Sequence, residues 1–408
     1  INNLLWIVWG NNMNKYLIIS QYYYPETFKI TEICEELAKI NEVTVLTGLP
    51  NYPKGEYYEG YENHKKIFCE NINNVKVIRL PIRPRHSGTI NLFLNYMSYL
   101  KKAKRFLKTF NETFDAILVY EISPVLQISP AIYYGNKKHT KVYTYCQDVW
   151  PEVLKVGGVK SCNPIFWFFK QWSKKLYNKS DYILISSPMF KDYLIKIHKV
   201  NENKIIYLPQ HASDMLAKLN LRKEITPTID FLYTGNIGKA QNILLLIKCF
   251  EKITNENVRL HLVGDGSEYN NCFEYLKNHN VNNVTMYGRK SKKELIEFFK
   301  NSDVCIFALT GSNFVGNTIP AKLQDYMSSG KMIIASVSGD AKKIIDESKC
   351  GLTCLPDNVD DLYLTIKEFL SNKEKYKSYG ENGKQYFMKN FTMNIFINKL
   401  YKILEETK

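Results

Sequence analysis

The sequence lacks several patterns that would place it in a familiar class of protein at once. No run of apolar residues approaches the roughly 18 that a helix needs to span a bilayer. The 9 cysteines include no Cys-x-x-Cys pair, and several lie within apolar segments, which is typical of a reduced, cytosolic protein. The three spaced glycines of a dinucleotide-binding turn do not follow the first predicted strand, and this argues against an oxidoreductase. Neither an internal repeat nor a low-complexity segment stands out.

The composition is that of a folded protein with more than one core. Of the 408 residues, 45% are hydrophobic and 23% are charged, which excludes a disordered chain and predicts two domains. The net charge of +15 favours acidic partners, among which nucleic acid, an anionic membrane surface and a phosphorylated small molecule all qualify. Residues 1–12 precede Met13 and the first convincing strand, so we interpret them as an upstream extension without a role in the fold.

Alternating strands and helices organise residues 13–208 as a first α/β domain. Ligands of doubly wound sheets bind beyond the carboxyl ends of the strands, and Asp148 and Glu152 follow the predicted strand from Val142 to Cys146. Glu152 is equally compatible with a surface loop. Asp148 comes sooner after its strand and is favoured as a functional residue.

Residues 209–228 lack strong periodicity and are interpreted as the connection to a second α/β domain, residues 229–380. The first strand of that domain ends in the turn from Gly235 to Gln241. The glycines of this turn allow close backbone approach, and Lys239 supplies positive charge at a helix entrance. Further strands of this half also end in glycine-rich or polar loops at the same edge, a pattern that favours nucleotide binding.

Residues 314–336 combine a polar loop, a helix and a buried strand. Pro320 suits the first turn of the helix, and Gly330 suits the position just past its end. Free N–H groups at the helix start, with Lys322 one turn in, are suited to a phosphate or diphosphate. Asp325 is suited to sugar hydroxyls, which donate hydrogen bonds to it. The alternative is an ordinary amphipathic helix with two solvated charges.

Two helices of the first half, from Asn91 to Phe110 and from Ile165 to Tyr177, combine aromatic and basic residues. Such helices lie in a membrane interface or pack as crossover helices on the sheet, and both interpretations remain open. The basic loop from Pro81 to His86 is either a solvated edge or a contact for phosphate or lipid headgroups. The tail, residues 381–408, predicts a long amphipathic helix that needs a surface to cover.

Seven short motifs follow one another in a specific order from Met13 onward. They are Tyr-Tyr-Tyr-Pro-Glu (22–26), Leu-Pro-Asn-Tyr-Pro-Lys-Gly (49–55), Gln-Asp-Val-Trp-Pro-Glu (147–152), Gly-Asn-Ile-Gly-Lys-Ala-Gln (235–241), Val-Gly-Asp-Gly (263–266), Tyr-Gly-Arg (287–289) and Ile-Pro-Ala-Lys-Leu-Gln-Asp-Tyr-Met (319–327). In these motifs the chain resembles the retaining nucleotide-sugar glycosyltransferases of family 4, most of all the bacterial branch that builds O-antigen and capsule sugars. The resemblance implies the GT-B fold, in which two Rossmann-like doubly wound domains face a cleft and a C-terminal helix returns to the first domain.

The same resemblance implies roles for individual residues. The second domain would hold the donor through Gly235, Asn236, Gly238, Gln241, Gly264, Gly266, Arg289 and Asp325. The catalytic residues would be Lys239, Lys322, Asn317 and Asp148, with both lysines neutralising the leaving diphosphate. The first domain would bind the acceptor, with Glu26, Thr27, Lys29 and Glu152 on that side of the cleft.

The family's paired glutamates fall here on Asn317 and Asp325, which is a departure. Asp325 still accepts hydrogen bonds from ribose hydroxyls, but Asn317 carries no negative charge near the donor sugar. The resemblance implies retention without a metal or cofactor. We expect a UDP-linked donor, for example of an N-acetylated amino sugar, and a polyprenyl-diphosphate-linked saccharide as acceptor. We also expect a cytoplasmic protein at the inner face of the cytoplasmic membrane that binds no nucleic acid.

Two rival functions share these features. A nucleotide-sugar 2-epimerase has the same fold and would need acids and a histidine arranged for elimination, for which His211 and His261 are the residues to test first. A non-catalytic, membrane-associated donor-binding subunit is suggested by Asn317 and by the basic aromatic helices.

Overall fold

A computed structural model describes residues 13–156, 158–254, 257–311 and 318–407. The strands are β1 (Lys15–Ile19), β2 (Glu42–Gly48), β3 (Phe68–Ile72), β4 (Val75–Leu80), β5 (Ala116–Glu121), β6 (Val142–Cys146), β7 (Tyr182–Ile185), β8 (Ile205–Tyr207), β9 (Ile229–Thr234), β10 (Val258–Val263), β11 (Val284–Met286), β12 (Val304–Ala308), β13 (Met332–Ser336) and β14 (Gly351–Cys354). The helices are α1 (Ile30–Leu37), α2 (Thr89–Thr109), α3 (Ile128–Lys138), α4 (Val153–Val156), α5 (Pro164–Lys179), α6 (Met189–Lys196), α7 (Met215–Lys218), α8 (Ile243–Glu251), α9 (Tyr269–His279), α10 (Lys292–Lys300), α11 (Ala321–Ser328), α12 (Gly339–Ser348), α13 (Val359–Ser371), α14 (Tyr379–Asn390) and α15 (Met393–Glu406).

The first domain is built on an 8-stranded sheet in the order β3-β4-β2-β1-β5-β6-β7-β8. Neighbouring strands pair in parallel, except that β3 pairs antiparallel with β4 at one edge. β5 and β6 are buried along their whole length, which is what continuous apolar runs produce when helices cover both faces of a sheet. Helices α2, α3 and α5 cover one face, and α1 packs on the other.

The second domain is built on a 6-stranded parallel sheet in the order β11-β10-β9-β12-β13-β14. In each sheet the strand order reverses beside the first strand of the domain, at β1 and β5 or at β9 and β12. Open α/β sheets bind their ligands beyond the carboxyl ends of the strands at such a reversal. The two sheets thus predict where a site should lie before any side chain is considered.

The connection between the sheets is ordered and belongs to the second core. It contains the short helix α7, and Leu216 and Leu221 are buried among the side chains of the second domain. Lys223 donates hydrogen bonds to Asp230 and Asp303, both at 2.6 Å, and so holds the end of the connection against β9. None of the helices in residues 13–156, 158–254, 257–311 and 318–407 combines the length and the apolar character that a bilayer-spanning segment requires.

The tail consists of two helices, so the prediction of a single long helix was wrong. α14 packs on the second domain, where Phe387 and Phe391 lie in the core. The Thr392 hydroxyl then caps α15, and the chain crosses back to the first domain. There Leu400 and Leu404 are buried with side chains of β1 and α1. The predicted return of a C-terminal helix to the first domain is confirmed.

Candidate functional site

Loops from both domains line one cleft of about 420 Å³. Each loop follows the carboxyl end of a strand, as the order of the strands predicts. The residues that line it are Thr27, Tyr52, Pro53, Gly235, Asn236, Val263, Gly264, Asp265, Gly266, Arg289, Lys290 and Leu295. The cleft therefore brings Thr27, predicted on the acceptor side, together with Gly235, Asn236, Gly264, Gly266 and Arg289, predicted on the donor side.

The glycines of the donor side let two loops touch through their backbones. Gly264 has φ +155°, and a β-carbon built on it would lie 1.8 Å from the carbonyl oxygen of Gly235. No residue larger than glycine fits there without moving the backbone. The Gly235 N–H donates to the Val263 oxygen at 2.9 Å, and the Ile237 N–H donates to the Asp265 oxygen at 2.9 Å. The turn after β9 is thus fixed against the turn after β10.

Polar side chains continue the turn after β9. The Asn236 amide donates to Gln241 Oε1 at 3.0 Å, and Gly238 lies directly beside both side chains. Lys239 begins a 3-10 turn, Lys239–Gln241, and its side chain is exposed. The structure therefore joins Asn236, Gly238 and Gln241 in one turn and leaves Lys239 accessible from solvent.

Lys322 lies at the floor of this turn, partly buried on α11. Its ammonium donates to the Tyr233 hydroxyl at 2.5 Å and sits 3.9 Å from the centre of the Tyr233 ring. A β-carbon built on Gly235 would lie 3.6 Å from Lys322 Nζ. Burial lowers the pKa of Lys322 to about 7, although nearby Asp325 acts in the opposite direction. A cation is thus partly withdrawn from water, and no carboxylate among the described residues forms an ion pair with it.

Asp325 faces the first domain. Burial raises the pKa of its carboxyl, while the nearby ammonium of Lys29 favours the charged form and the carboxylate of Glu32 opposes it. Lys29 donates a hydrogen bond to the backbone oxygen of His211, and Glu32 accepts one from the His211 ring at 3.1 Å. Lys29 and Asp325, predicted on opposite sides of the cleft, are therefore neighbours across the domain boundary.

Arg289 extends the cleft at its other end, where its side chain is exposed beside Lys290. Tyr58 of the first domain lies close to Arg289. Burial raises the pKa of the Tyr58 phenol, and the positive charge of Arg289 acts in the opposite direction. The Tyr58 hydroxyl donates to the backbone oxygen of Tyr52 at 2.8 Å. The first domain thus contributes a wall to the cleft at the end where Arg289 lies.

Asp148 follows β6, as predicted, and accepts a hydrogen bond from the Ser123 hydroxyl at 3.1 Å. Burial raises the pKa of its carboxyl. Glu121, at the end of β5, is fully buried nearby, and its carboxyl pKa is raised by burial and by the charge of Asp148. Asp148 is thus partly buried at the end of β6, with the fully buried Glu121 close enough for its charge to act on that carboxyl.

Glu26 and Glu152 have structural contacts inside the first domain. The Glu26 carboxylate is buried and accepts from the N–H groups of Tyr23 at 3.1 Å and of Asn51 and Tyr52 at 2.8 Å. Glu152 is also buried and accepts from the Tyr193 hydroxyl at 2.7 Å. Both carboxylates therefore hold loops of the first domain in place, and their place on the acceptor side stays a prediction. Asn317 lies outside the described residues.

Several residues of the site were missed from the sequence alone. In the sequence, Tyr233 is not distinguished from the apolar residues of β9, but its hydroxyl accepts a hydrogen bond from Lys322. Tyr52 belongs to a motif of the resemblance, but nothing in its spacing indicates that it lines the cleft. Lys290 and Leu295 carry no recognisable signal.

The second half of the chain matches a known family. Residues 221–386 match the model described as Glycosyl transferases group 1. Among curated proteins, the uncharacterized glycosyltransferase MJ1069 of Methanocaldococcus jannaschii is 22% identical over 417 residues, which cover 96% of this chain and 98% of the relative. The second domain therefore matches this family model, within a chain similar to that relative over nearly its whole length.

Solved structures resemble the whole chain. HepE of Anabaena, in complex with UDP and glucose, superposes with a TM-score of 0.68 at 12% identity, over 96% of this chain and 100% of HepE. WaaG, a glycosyltransferase involved in lipopolysaccharide biosynthesis, superposes with a TM-score of 0.69 at 14% identity, over 96% of this chain and 99% of WaaG. The predicted GT-B fold is confirmed, and the domain match together with the fold supports a GT-B glycosyltransferase.

Proposed function

We propose that the protein transfers a sugar from a UDP-linked donor to a lipid-linked saccharide in the synthesis of O-antigen or capsule polysaccharide, with retention and without a metal. The observation that carries this proposal is the partly buried Lys322 ammonium beneath Gly235, a residue that lines the cleft and lies in the segment that matches Glycosyl transferases group 1. A diphosphate is the group that such a cation and the adjoining backbone turn would bind.

The chemistry at the cleft follows from charge. As the bond between the sugar and the diphosphate breaks, negative charge builds on the leaving oxygen, and Lys322 and Lys239 neutralise it. Asp325 accepts hydrogen bonds from the ribose hydroxyls. Asp148 accepts the hydrogen bond of the attacking acceptor hydroxyl, a role to which its raised pKa is suited.

A surface of the first domain supports a lipid-linked acceptor. A groove of about 940 Å³ between α2, α3 and α5 is lined by Trp167, Phe168 and Trp172 together with Lys104, Lys175 and Lys179. Trp167 and Phe168 are 54% and 56% exposed, which is unusual for aromatic side chains of this size. Aromatic rings beside lysines suit the interface of an anionic bilayer. We propose that this face lies on the cytoplasmic membrane.

The proposal is tested by nucleotide-sugar binding and by turnover. Purified protein is screened with nucleotide sugars by thermal shift, and each ligand that binds is tested for release of nucleoside diphosphate with and without a polyprenyl-diphosphate-linked sugar. Release that requires the acceptor is expected for a transferase. Binding without release in both the native protein and the Asn317→Glu variant would favour the donor-binding subunit instead.

The epimerase alternative has no support from the histidines. His211 is buried against Glu32, and His261 pairs with Asp230 at 2.7 Å and with the Tyr287 hydroxyl at 2.9 Å. Both rings are therefore engaged within the protein. Conversion of a UDP-sugar in the absence of any acceptor would nevertheless identify an epimerase in the same screen.

A further inference from the structure

Two loops of the first domain are joined beside the cleft. The loop after β2 contains Asn51, whose side-chain oxygen accepts from the Arg85 N–H at 2.9 Å. The His86 N–H donates to the Gly55 oxygen at 3.0 Å, and a β-carbon built on Gly55, which has φ +83°, would lie 2.8 Å from the His86 backbone. The basic loop after β4, left unassigned by the sequence, is thus locked to the wall of the cleft.

The Arg85 side chain lies over an aromatic platform. Its guanidinium carbon is 5.3 Å from the centre of the Tyr52 ring. The Tyr52 ring packs against Phe28 at 5.2 Å and Tyr22 at 5.7 Å between centres, and Tyr52 itself lines the cleft. Among the described residues, no carboxylate forms an ion pair with Arg85, which is itself only partly buried. Its charge is therefore available to a ligand.

Buried amides hold this loop in position from behind. The Asn95 amide donates to the Arg83 backbone oxygen at 2.6 Å, and the Asn95 oxygen accepts from the Gln21 side chain at 2.6 Å. The Gln21 N–H in turn donates to Gln127 Oε1 at 2.9 Å. Because these groups are buried, breaking the network would leave polar atoms unpaired, which makes the loop geometry rigid.

The position of Arg85 relates it to the acceptor side. The Tyr96 hydroxyl, whose pKa burial raises, lies within electrostatic range of both Arg85 and Asp148. Arg85 lies on the loop after β4 and Asp148 on the loop after β6, at the carboxyl ends of parallel strands in one sheet. A molecule whose hydroxyl reaches Asp148 can place a second group near Arg85.

We propose that Arg85, which lies over the Tyr52 ring, binds a phosphate or diphosphate group of the acceptor. The proposal rests on the glycosyltransferase function proposed above and names the chemistry of its acceptor. A guanidinium is planar and carries its N–H groups outward in its own plane, and contact with the face of a ring leaves these groups free. That geometry matches two oxygens of a phosphate, whereas an uncharged sugar would leave the charge unused.

The test uses geranyl diphosphate as a soluble probe, with UDP present in saturating amount so that the donor site is filled. Binding is measured by calorimetry for the native protein, for Arg85→Ala and for the control Arg83→Ala. Arg83 is exposed on the same loop and contacts Asn91 at 3.0 Å, so this control removes the same charge outside the platform. We expect Arg85→Ala to weaken binding about tenfold or more, and Arg83→Ala to change it less than about twofold.

The remaining arms separate the possible sources of an effect. Inorganic pyrophosphate, used in place of geranyl diphosphate, should also bind Arg85→Ala more weakly than the native protein, because both probes carry the anionic oxygens. Arg85→Lys should recover only part of the affinity, since lysine keeps the charge but lacks the planar guanidinium. Unchanged UDP affinity and thermal stability would show that the variants are folded. Equal effects of the Arg85 and Arg83 variants, or no probe binding to native protein that binds UDP, would overturn the proposal. Failure to bind UDP would instead count against the proposed function.

Discussion

The ammonium of Lys322 is held near the midpoint of its titration at neutral pH, and this has a measurable consequence. Burial lowers its pKa to about 7, so in the free protein the proton is lost as pH rises above that value. A bound diphosphate favours the charged form and raises the pKa again. UDP binding should therefore take up a proton above pH 7, and affinity should fall by up to about tenfold per pH unit there.

Calorimetric titrations below and above pH 7, in buffers of different ionisation enthalpy, measure this uptake. Lys322→Gln should bind more weakly and lose the pH dependence in this window. Lys239→Ala is the matched control, because it removes a lysine of the same site whose side chain is exposed. Proton uptake that persists in Lys322→Gln would assign it to another group.

Lys322 should also dominate turnover. Replacement by Ala removes the cation that we propose neutralises the leaving diphosphate. We expect turnover to fall on the order of a hundredfold, while the thermal unfolding temperature stays close to that of the native protein. Release of nucleoside diphosphate, measured under saturating donor, checks this. Turnover that is unchanged would remove Lys322 from the mechanism.

For Glu26 we expect an effect on stability, because its carboxylate holds loops of the first domain in place. In Glu26→Gln the side-chain NH₂ group replaces one oxygen that accepts a backbone N–H, and we expect a loss of about 1–3 kcal/mol in the free energy of unfolding. Burial raises the pKa of Glu26 from 4.5 to about 7, so native stability should fall as pH rises through this window, and the variant should lack that slope. Urea unfolding at several pH values measures both effects. A variant as stable as the native protein would contradict the role assigned to the three N–H contacts.

Among the helices, α5 carries the membrane proposal. Replacing both Trp167 and Phe168 by Glu places negative charge on the exposed aromatic face, and binding to anionic liposomes at low salt should fall by about tenfold or more. Sedimentation with phosphatidylglycerol vesicles measures it. Phe273→Glu, at a 42% exposed aromatic of the second domain, is the control and should leave binding intact. If native protein shows no preference for anionic vesicles, the membrane part of the proposal is abandoned.

Strands that helices cover on both faces of the sheet could be predicted from the sequence. β6 is a short apolar run followed by a polar turn, and the structure has it at the predicted bounds, Val142–Cys146. The break between α14 and α15 could not be predicted, because Phe387, Phe391, Phe396 and Leu400 keep a helical spacing across it. α14 packs on the second domain and α15 on the first, and the spacing of apolar residues along the sequence does not distinguish these two surfaces.

At the scale of the whole molecule, hydrogen bonds of buried polar side chains help to hold the two domains in their relative orientation. Asp340 of α12 accepts from the Ser187 hydroxyl at 2.6 Å and from the Met189 N–H at 2.7 Å, both in the first domain. Gln324 beside Asp325 donates to the Gln210 oxygen at 2.7 Å, and Gln210 donates to Gln147 beside Asp148 at 2.9 Å. α11 and the loop after β6 are thus connected through Gln210 of the linker.

Loss of the Asp340 contact should loosen the closed arrangement. In Asp340→Ala the Ser187 hydroxyl and the Met189 N–H lose their acceptor, so open forms gain population and the apparent affinity for UDP should fall several-fold. Small-angle scattering should show a larger radius of gyration without nucleotide. Asp346→Ala is the control on the same helix, since Asp346 pairs with Lys342 within its own domain. Identical scattering and affinity in both variants would mean that Asp340 does not hold the domains together.

Whole-molecule geometry also explains which parts of the site could be predicted. Gly235, Gly264 and Arg289 lie at strand ends of one sheet, and their convergence follows from parallel order. The pairing of Lys29 with Asp325 depends on how the two domains meet, which no pattern within either domain encodes. The sequence therefore predicts which loops of the second domain meet in the cleft far better than it predicts the contacts that cross the cleft.

The return of α15 has a consequence for biosynthesis. One face of the first sheet is complete only when Leu400 and Leu404 pack beside β1 and α1, so the nascent first domain leaves the ribosome with that face covered by α1 alone. The rest of the face stays uncovered while residues 209–392 are translated. The first domain, although synthesised first, is thus the last to be completed, and the second domain is free to fold before it.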